Sequence, residues 1–421
     1  MGTGGRDDDA GSGGEAEEES AEAKIERLAT EIDELKASLI GVPEASDEWF
    51  QIKTDIKDRD GERLVLMEKK RCDDAVKEYF EENPHVLEAV PECPICFERM
   101  WDASVMMRYV CCGKLICKKC YSQARSVFDT CPLCRGKAPG PDKAISMTKE
   151  KADSGIAWAQ AYLGQKYLYG NNGLPKDVEK ALPLLSEAAE NGSTDAKFLL
   201  GNAYIRIGKD EEARRWHEAA AAEGEIQSLF KIGMMMSDGR AFDQNEQTRS
   251  EALRLITISA KLHEGSFNMP ALELSRFFGK SNLPVKLHYL RPAVEGGDAG
   301  AMDDYALGLV SLACVYYGTD STIISRPGYC PIPEALFWHR RTKDPHANHL
   351  LAQFERTLCE YCAHCRVILP DGKPSHCAEC KAAYYCGRDC QVAHWQAGHK
   401  KDCVRKLKKR LRAEGKLEED K

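Results

Sequence analysis

The chain has 421 residues, room for about two to four domains, and 43% of them are apolar, so a sizeable core is possible. Its formal net charge of -8 is uneven: residues 1–20 carry seven acids against one base, and residues 400–416 carry nine Lys or Arg against two acids. Bulk charge therefore argues neither for nor against nucleic acid. Nineteen cysteines read as disulfides only in a secreted chain, and the opening MGTGGRDDDAGSGG has no apolar signal segment. Reduced thiols on a metal, in an intracellular protein of the cytoplasm or nucleus, are the expectation. The longest apolar run, around Ala306–Tyr317, is too short to span a bilayer and fits a buried helix.

Residues 1–20 are acidic and Gly/Ser-rich, with almost nothing to bury, and are predicted to be a disordered tail. Residues 21–90 form a helical segment. Ile25, Leu28, Ile32, Leu35 and Leu39 recur at helical spacing over about two heptads, which predicts a helix packed on a neighbour rather than a coiled coil. A second helix is expected over about Asp60–Phe80, with Cys72 on its face, leading through Asn83-Pro84 into a cysteine cluster.

That cluster, in residues 91–137, holds Cys93, Cys96, Cys111, Cys112, Cys117, Cys120, Cys131 and Cys134. Eight thiols fill two tetrahedral zinc sites, and C-x2-C pairs place two thiolates on one turn at the required distance. The opening C-P-I-C and closing C-P-L-C-R resemble a RING finger of the all-cysteine kind. The resemblance implies a cross-brace, with Cys93, Cys96, Cys117 and Cys120 on one zinc and Cys111, Cys112, Cys131 and Cys134 on the other. The common RING histidine would stand at Lys114, a poor ligand because its amine is protonated, and the Cys111-Cys112 pair supplies the missing donor. In RING ubiquitin ligases the finger does no covalent chemistry; it holds a ubiquitin-conjugating enzyme and its thioester-linked ubiquitin in a reactive arrangement. The resemblance assigns Ile95, Pro132 and Leu133 to the contact with that enzyme. It assigns Arg135 to hydrogen bonds that bridge enzyme and ubiquitin, a task suited to a planar guanidinium fork. Structural or docking RINGs also exist, in which Ile95 is packing and Arg135 a solvated charge.

Residues 155–297 carry a degenerate repeat whose clearest copy is AWAQAYLGQKYLYGNNGLPKDVEKALPLLSEAAENG. Each unit reads as two short helices, the first with Leu-Gly and Tyr, the second ending in Ala-Ala and a capping glycine. The closing glycines are Gly192, Gly224, Gly265 and Gly297, at spacings of 32, 41 and 32. Small residues such as Ala161, Gly164, Ala188, Gly201 and Ala220 allow close helix approach, and such units must stack to bury their faces. Met234–Met236 are read as core filling. These lines resemble Sel-one-like repeats, relatives of the tetratricopeptide repeat, which implies a curved α-solenoid that binds other proteins. Residues 298–358 are expected to be its helical end cap, with Cys314 and Cys330 structural. Within it, Asn348-His349 is the lone hint of a SET methyltransferase, and the surrounding NHLL lacks the rest of that motif.

Residues 359–403 hold the second ligand set: Cys362, Cys365, Cys377, Cys380, Cys386, Cys390, His399 and Cys403. Their order, with Tyr385 before Cys386 and Gln391 and Trp395 after Cys390, closely resembles a MYND finger. The resemblance implies interleaved ligation, Cys362, Cys365, Cys386 and Cys390 on one zinc and Cys377, Cys380, His399 and Cys403 on the other. Cys359 competes with Cys365 as the partner of Cys362, and the downstream spacing favours Cys365. His394 is expected to be an exposed helix residue, and His364 and His376 bystanders. MYND fingers take short proline-containing peptides, and the resemblance places Gln391 and Trp395 in that groove; the alternative is that Trp395 is core. Residues 404–421 are a basic helix or tail, KLKKRLR, read either as a nuclear-localisation or nucleic-acid patch or as a solvated face with Leu407 and Leu411 inward.

The expected fold is mainly α, an α-solenoid of Sel-one-like repeats flanked by two small cross-braced zinc-binding domains, with four zinc ions in all. Partners are expected to be proteins, a ubiquitin-conjugating enzyme and proline-containing peptides among them, rather than nucleic acid or membrane. Two functions follow: a RING-type ubiquitin ligase that recruits substrate through repeats and MYND finger, or a non-enzymatic zinc scaffold.

Overall fold

The computed structural model describes residues 19–44, 46–100, 106–127, 130–137, 139–171, 173–263, 269–278, 282–317, 331–342, 358, 360–369 and 375–417. Residues 1–18 of the expected disordered tail, Gly265, Cys330, Asn348-His349 and Cys359 lie outside the described residues. No helix among the described residues is long and apolar enough to cross a membrane.

Two helices open the described chain, α1 (Ala21–Ser38) and α2 (Asp47–Glu82). Each starts on a capping serine: Ser20 accepts from the Ala23 N–H and Ser46 from the Trp49 N–H. They form a hairpin that buries Leu28 and Ile32, so α1 does pack on a neighbour. The second helix is far longer than its expected Asp60–Phe80. Its periodicity is blurred because it has two partners, α1 on one side and the helical repeats on the other, and it buries Thr54, Glu68 and Cys72 among polar stretches. Cys72 is consequently more than a helix-face residue. Its thiol lies 3.1 Å from the Tyr289 hydroxyl, which donates to Glu68 Oε1 at 2.5 Å, and Arg71 links Glu68 to Thr257 at 3.0 Å. Burial pushes the Cys72 thiol up to about 11, so it stays a neutral packing group.

A short helix, α3 (Pro84–Ala89), leads to the first finger, built from β1 (Met106–Arg108), β2 (Leu115–Cys117) and α4 (Lys118–Val127). The two strands pair antiparallel, with Arg108 opposite Leu115. After the linking α5 (Pro141–Asp153), the repeats follow as antiparallel pairs. They are α6 (Ala157–Tyr169) with α7 (Val178–Glu190), α8 (Thr194–Arg206) with α9 (Asp210–Ala222), and α10 (Ile226–Ser237) with α11 (Glu246–Leu262). Next come α12 (Met269–Phe278) with α13 (Leu283–Glu295), and α14 (Ala299–Tyr317) with α15 (Ile332–His339). The last pair continues the same stacking, so the expected end cap is built like a further repeat.

The ending of each unit has a physical cause. Gly192, Gly224 and Gly297 sit at φ of 81°, 89° and 94°, a left-handed conformation that costs glycine least. The next N–H then reaches back five residues to a buried alanine carbonyl: Ser193 to Ala188, Glu225 to Ala220 and Asp298 to Ala293, each at 3.0 Å. A second glycine set controls helix spacing. A Cβ added at Gly164, Gly201 or Gly233 would stand 2.7, 2.5 or 2.7 Å from Leu185, the His217 ring or Ile256 of the pairing helix. Three successive first helices thus each receive one side chain of their second helix. In α14 the corresponding Gly308 is met by Leu287 of the preceding helix instead, at 2.8 Å. Met235 is buried at 2% exposure, in keeping with core filling.

This spacing predicts the sign of one substitution. An exposed mid-helix Gly→Ala is stabilising by roughly 0.5–1 kcal/mol through helix propensity alone. Gly201→Ala should instead destabilise by about 1–3 kcal/mol, because the ring of fully buried His217 has no room to retreat. Denaturant unfolding followed by helical circular dichroism measures this; a gain in stability would contradict the packing.

Candidate zinc centres

Four groups of ligand atoms are gathered, each within 4.8 Å: Cys93, Cys96, Cys117 and Cys120; Cys111, Cys112, Cys131 and Cys134; Cys362, Cys365, Cys386 and Cys390; Cys377, Cys380, His399 and Cys403. In both fingers the ligands interleave in sequence, so each finger is a cross-brace. The spacing suits zinc. Zn–S bonds near 2.3 Å put neighbouring sulfurs of a tetrahedron about 3.8 Å apart, and sulfur and imidazole nitrogen about 3.5 Å apart. The observed separations are 3.7 Å for Cys96–Cys117, 3.8 Å for Cys112–Cys131 and 3.5 Å for Cys111–Cys134. In the second finger they are 3.6 Å for Cys365–Cys386, 3.9 Å for Cys377–Cys403 and 3.5 Å from Cys380 Sγ to His399 Nε2. Thiolates and one imidazole in this geometry form a closed structural set with no open position for a substrate.

Four of the five C-x2-C ligand pairs share one backbone turn; the fifth, Cys117–Cys120, runs into α4 instead. In those four, the residue after the second cysteine (Phe97, Arg135, Arg366, Lys381) has φ of 61°, 60°, 62° or 54°. Its N–H donates to the carbonyl of the first cysteine, at 2.8, 2.8, 3.0 and 2.9 Å in the same order. The chain therefore folds back on itself and presents both sulfurs to one point. Left-handed backbone at a non-glycine residue costs roughly 1–2 kcal/mol, which the metal bonds offset. The adjacent Cys111-Cys112 pair uses a different turn, in which the Tyr109 carbonyl accepts from Cys112 and Gly113 at 3.2 and 2.7 Å. Lys114 stays exposed and outside the ligand set.

His394 corrects an expectation. It is buried at 8% exposure, stacks on the ligand His399 at 4.8 Å and 14°, and meets the Tyr385 hydroxyl through Nδ1 at 3.1 Å. Burial keeps that hydroxyl protonated. Tyr385 and His394 therefore orient a ligand ring from behind, an outer-shell role. Sequence reading missed it because the contact needs the finger already folded. His364 and His376 are exposed, as expected of bystanders.

Among the residues assigned to partners, Ile95 is 41% exposed and Pro132 and Arg135 are exposed, while Leu133 packs partly into the finger core. Phe97, which sequence reading passed over, is 75% exposed beside Ile95. Gln391 is half-buried. Trp395 is also half-buried, edge-on to His399 at 5.9 Å and packed against the terminal core.

Neither finger hangs free. Arg108 of the first pairs with Asp195 of α8 at 2.6 Å, and Gly113 abuts the Trp158 indole so closely that a Cβ would lie 2.3 Å from its Nε1. The second shares one hydrophobic core with α13–α15, and Arg340 donates to the Cys380 and Lys381 carbonyls at 2.9 and 3.0 Å. The basic terminal helix Arg405–Ala413 buries Leu411 at 1% exposure with Leu407 packed partly inward, while Arg410 pairs with Glu295 at 2.6 Å.

Comparison with known proteins agrees with the C-terminal module: residues 362–403 match the MYND finger family model. The chain is 28% identical over 110 residues to chitin synthase regulatory factor 3 of Schizosaccharomyces pombe, covering 25% of this chain and 12% of that protein. It is 32% identical over 104 residues to DAP3-binding cell death enhancer 1 of Mus musculus, covering 22% of this chain and 20% of that protein. The chain thus spans a fifth or less of the length of these curated relatives. Among solved structures, a Sel1 repeat protein from Oxalobacter formigenes aligns over 54% of this chain and 84% of its own, at 17% identity and TM-score 0.39. The Escherichia coli antigen c5321, which displays an SLR fold, covers 64% of this chain and 66% of its own, at 18% identity and TM-score 0.30. The C-terminal module is a MYND finger; the chain is a zinc-finger protein with helical repeats.

The shared turn predicts how the second finger responds to side chains at Lys381, which is exposed and left-handed. Lys381→Gly should hold zinc at least as well as wild type, and β-branched Lys381→Val should weaken the finger by about 1–2 kcal/mol. Competition with a chromogenic zinc chelator ranks the three; equal retention by the valine variant would remove the strain from the account.

Proposed function

We propose that the chain is a RING-type ubiquitin ligase, in which the first finger holds a ubiquitin-conjugating enzyme and the repeats and MYND finger bring substrate. The observation that carries this reading is the arrangement of one small domain. Its β-hairpin is tied to α6 and α8 through Arg108 and Gly113, while Ile95, Phe97, Pro132 and Arg135 stay exposed on its two outer zinc turns. An exposed apolar pair on one zinc turn and a guanidinium on the other are what a partner enzyme's apolar loops and carbonyls would meet. The left-handed backbone at Arg135 fixes the point and direction at which that side chain leaves the zinc turn.

The second finger supports substrate capture. A proline-containing peptide loses little chain entropy on docking, and half-buried Trp395 offers it an indole face that packing holds still. A second reading, a scaffold that joins partners without enzymatic activity, is favoured by Lys114 standing where a RING carries its histidine. Both readings keep four zincs and differ in whether the finger accelerates ubiquitin transfer.

Discharge of ubiquitin from a panel of loaded conjugating enzymes separates them. Wild type should accelerate discharge. Arg135→Ala should lose about tenfold or more, as for a hydrogen bond to a charged group, with zinc content intact. Ile95→Ala should weaken binding of the conjugating enzyme. No acceleration with any enzyme, or full activity in both variants, would leave the scaffold reading. In the same full-length protein, Trp395→Ala should lose a proline-containing peptide while keeping zinc; unchanged peptide binding would make Trp395 a core residue only.

A further inference from the structure

The docked first finger and the repeats enclose a groove of about 860 Å3. Tyr109 and Tyr121 of the finger line it together with Lys166 and Tyr169 of α6, Asn202 of α8 and Lys231 of α10. Its charges are unbalanced. Of its two lining acids, Asp195 is taken by Arg108 at 2.6 Å and Glu225 accepts from the Gln227 N–H at 3.1 Å. The lining Lys166 and Lys231 make no ion pair with any described residue, and neither does Arg206, which is exposed outside the lining and stacks on the lining Tyr169 at 5.0 Å. Other cations of the repeats are matched, Lys197 by Glu223, Arg214 by Glu218 and Arg240 by Asp210.

Holding these cations without counter-charge is unfavourable. Burial lowers the pKa of Lys166, and burial together with the positive charge of Arg206 lowers that of Lys231. The lysine stems lie against aromatic rings, Lys166 over Tyr162 at 4.5 Å and Lys231 over Phe230 at 5.7 Å, so the ammonium groups are held in place. A carboxylate entering here meets preplaced cations whose water is already partly stripped, so charge complementarity selects an acidic occupant.

We propose that this groove binds an acidic peptide segment of a partner protein, its carboxylates on Lys166 and Lys231 and its apolar side chains on Tyr109, Tyr121 and Tyr169. The assignment rests on the reading that the repeats recruit partners, but not on ligase activity. It also makes the groove composite, since the finger supplies one wall and a segment held there lies next to the finger that would hold the conjugating enzyme.

Fluorescence anisotropy on the full-length protein tests this with three labelled hexapeptides: hexaglutamate, hexaglutamine and hexalysine. Hexaglutamate alone should bind, and more weakly as salt rises. Lys166→Gln and Lys231→Gln should each weaken it about fivefold, the loss expected for one charge pair near a surface, and Lys231→Glu should abolish it. Lys406→Gln with Lys409→Gln, in the basic terminal helix, should change nothing, nor should Ile95→Ala. Equal binding of hexaglutamine, insensitivity to the groove lysines, or a loss confined to the terminal-helix variant would overturn the proposal. Deleting residues 1–18 should leave affinity unchanged; a marked gain would reassign the groove to the chain's own acidic start. Failure of ubiquitin discharge with hexaglutamate binding intact would count against the ligase reading and leave this one standing.

Discussion

A zinc ion bound by four cysteine or histidine side chains forces their donor atoms to within about 4 Å of one another, whatever the chain does around them. That constraint organises both ends of this molecule. The first finger has one small core, around Met100, Tyr109 and Ile116, too little to fold a segment of its size by burial alone. Structural zinc contributes about 10–16 kcal/mol in small fingers, enough to dominate their folding and to hold four non-glycine residues in left-handed backbone. Because the ligand pairs interleave, neither site of a finger can form without drawing in the segment between the other's ligands. Each finger is therefore one cooperative unit.

The middle of the chain obeys a different constraint, the close packing of helix pairs. Gly164, Gly201 and Gly233 admit Leu185, His217 and Ile256, and left-handed glycines end the second helices. Burial pushes His217 down to about 3, so the ring is neutral at physiological pH and acts as packing. Stacked pairs with short-range contacts make a stiff spacer, and α2 braces it along α11 and α13 through the Glu68, Cys72 and Tyr289 cluster. The fingers are fixed to the two ends of this body by specific contacts, an ion pair and a glycine–tryptophan contact at one end and a shared core at the other. Fingers and repeats consequently keep a set distance from one another, which the proposed presentation of one partner to another would use.

Much of this was legible in the order of residues. The four ligand groups follow cysteine and histidine spacing because a C-x2-C turn is local, and the Ala-Ala-x-x-Gly endings mark helix termini for the same reason. What was not legible depends on contacts across the fold. The full length of α2 was hidden because its two faces meet different partners and its buried groups, Thr54 and Glu68, are polar. His394 read as a surface residue because nothing local signals that it stacks on His399 behind the metal site. The groove lysines lie on helices of separate repeats, α6 and α10, and their lack of an ion-pair partner among the described residues shows only when α6, α8 and α10 stand side by side.

Four interleaved zinc centres on one helical body are the central claim, and counting the metal addresses it most directly. Elemental analysis of full-length protein purified without chelator should return four zinc ions per chain. A value of two or fewer would contradict it, leaving at least one finger without the metal bonds on which its backbone depends.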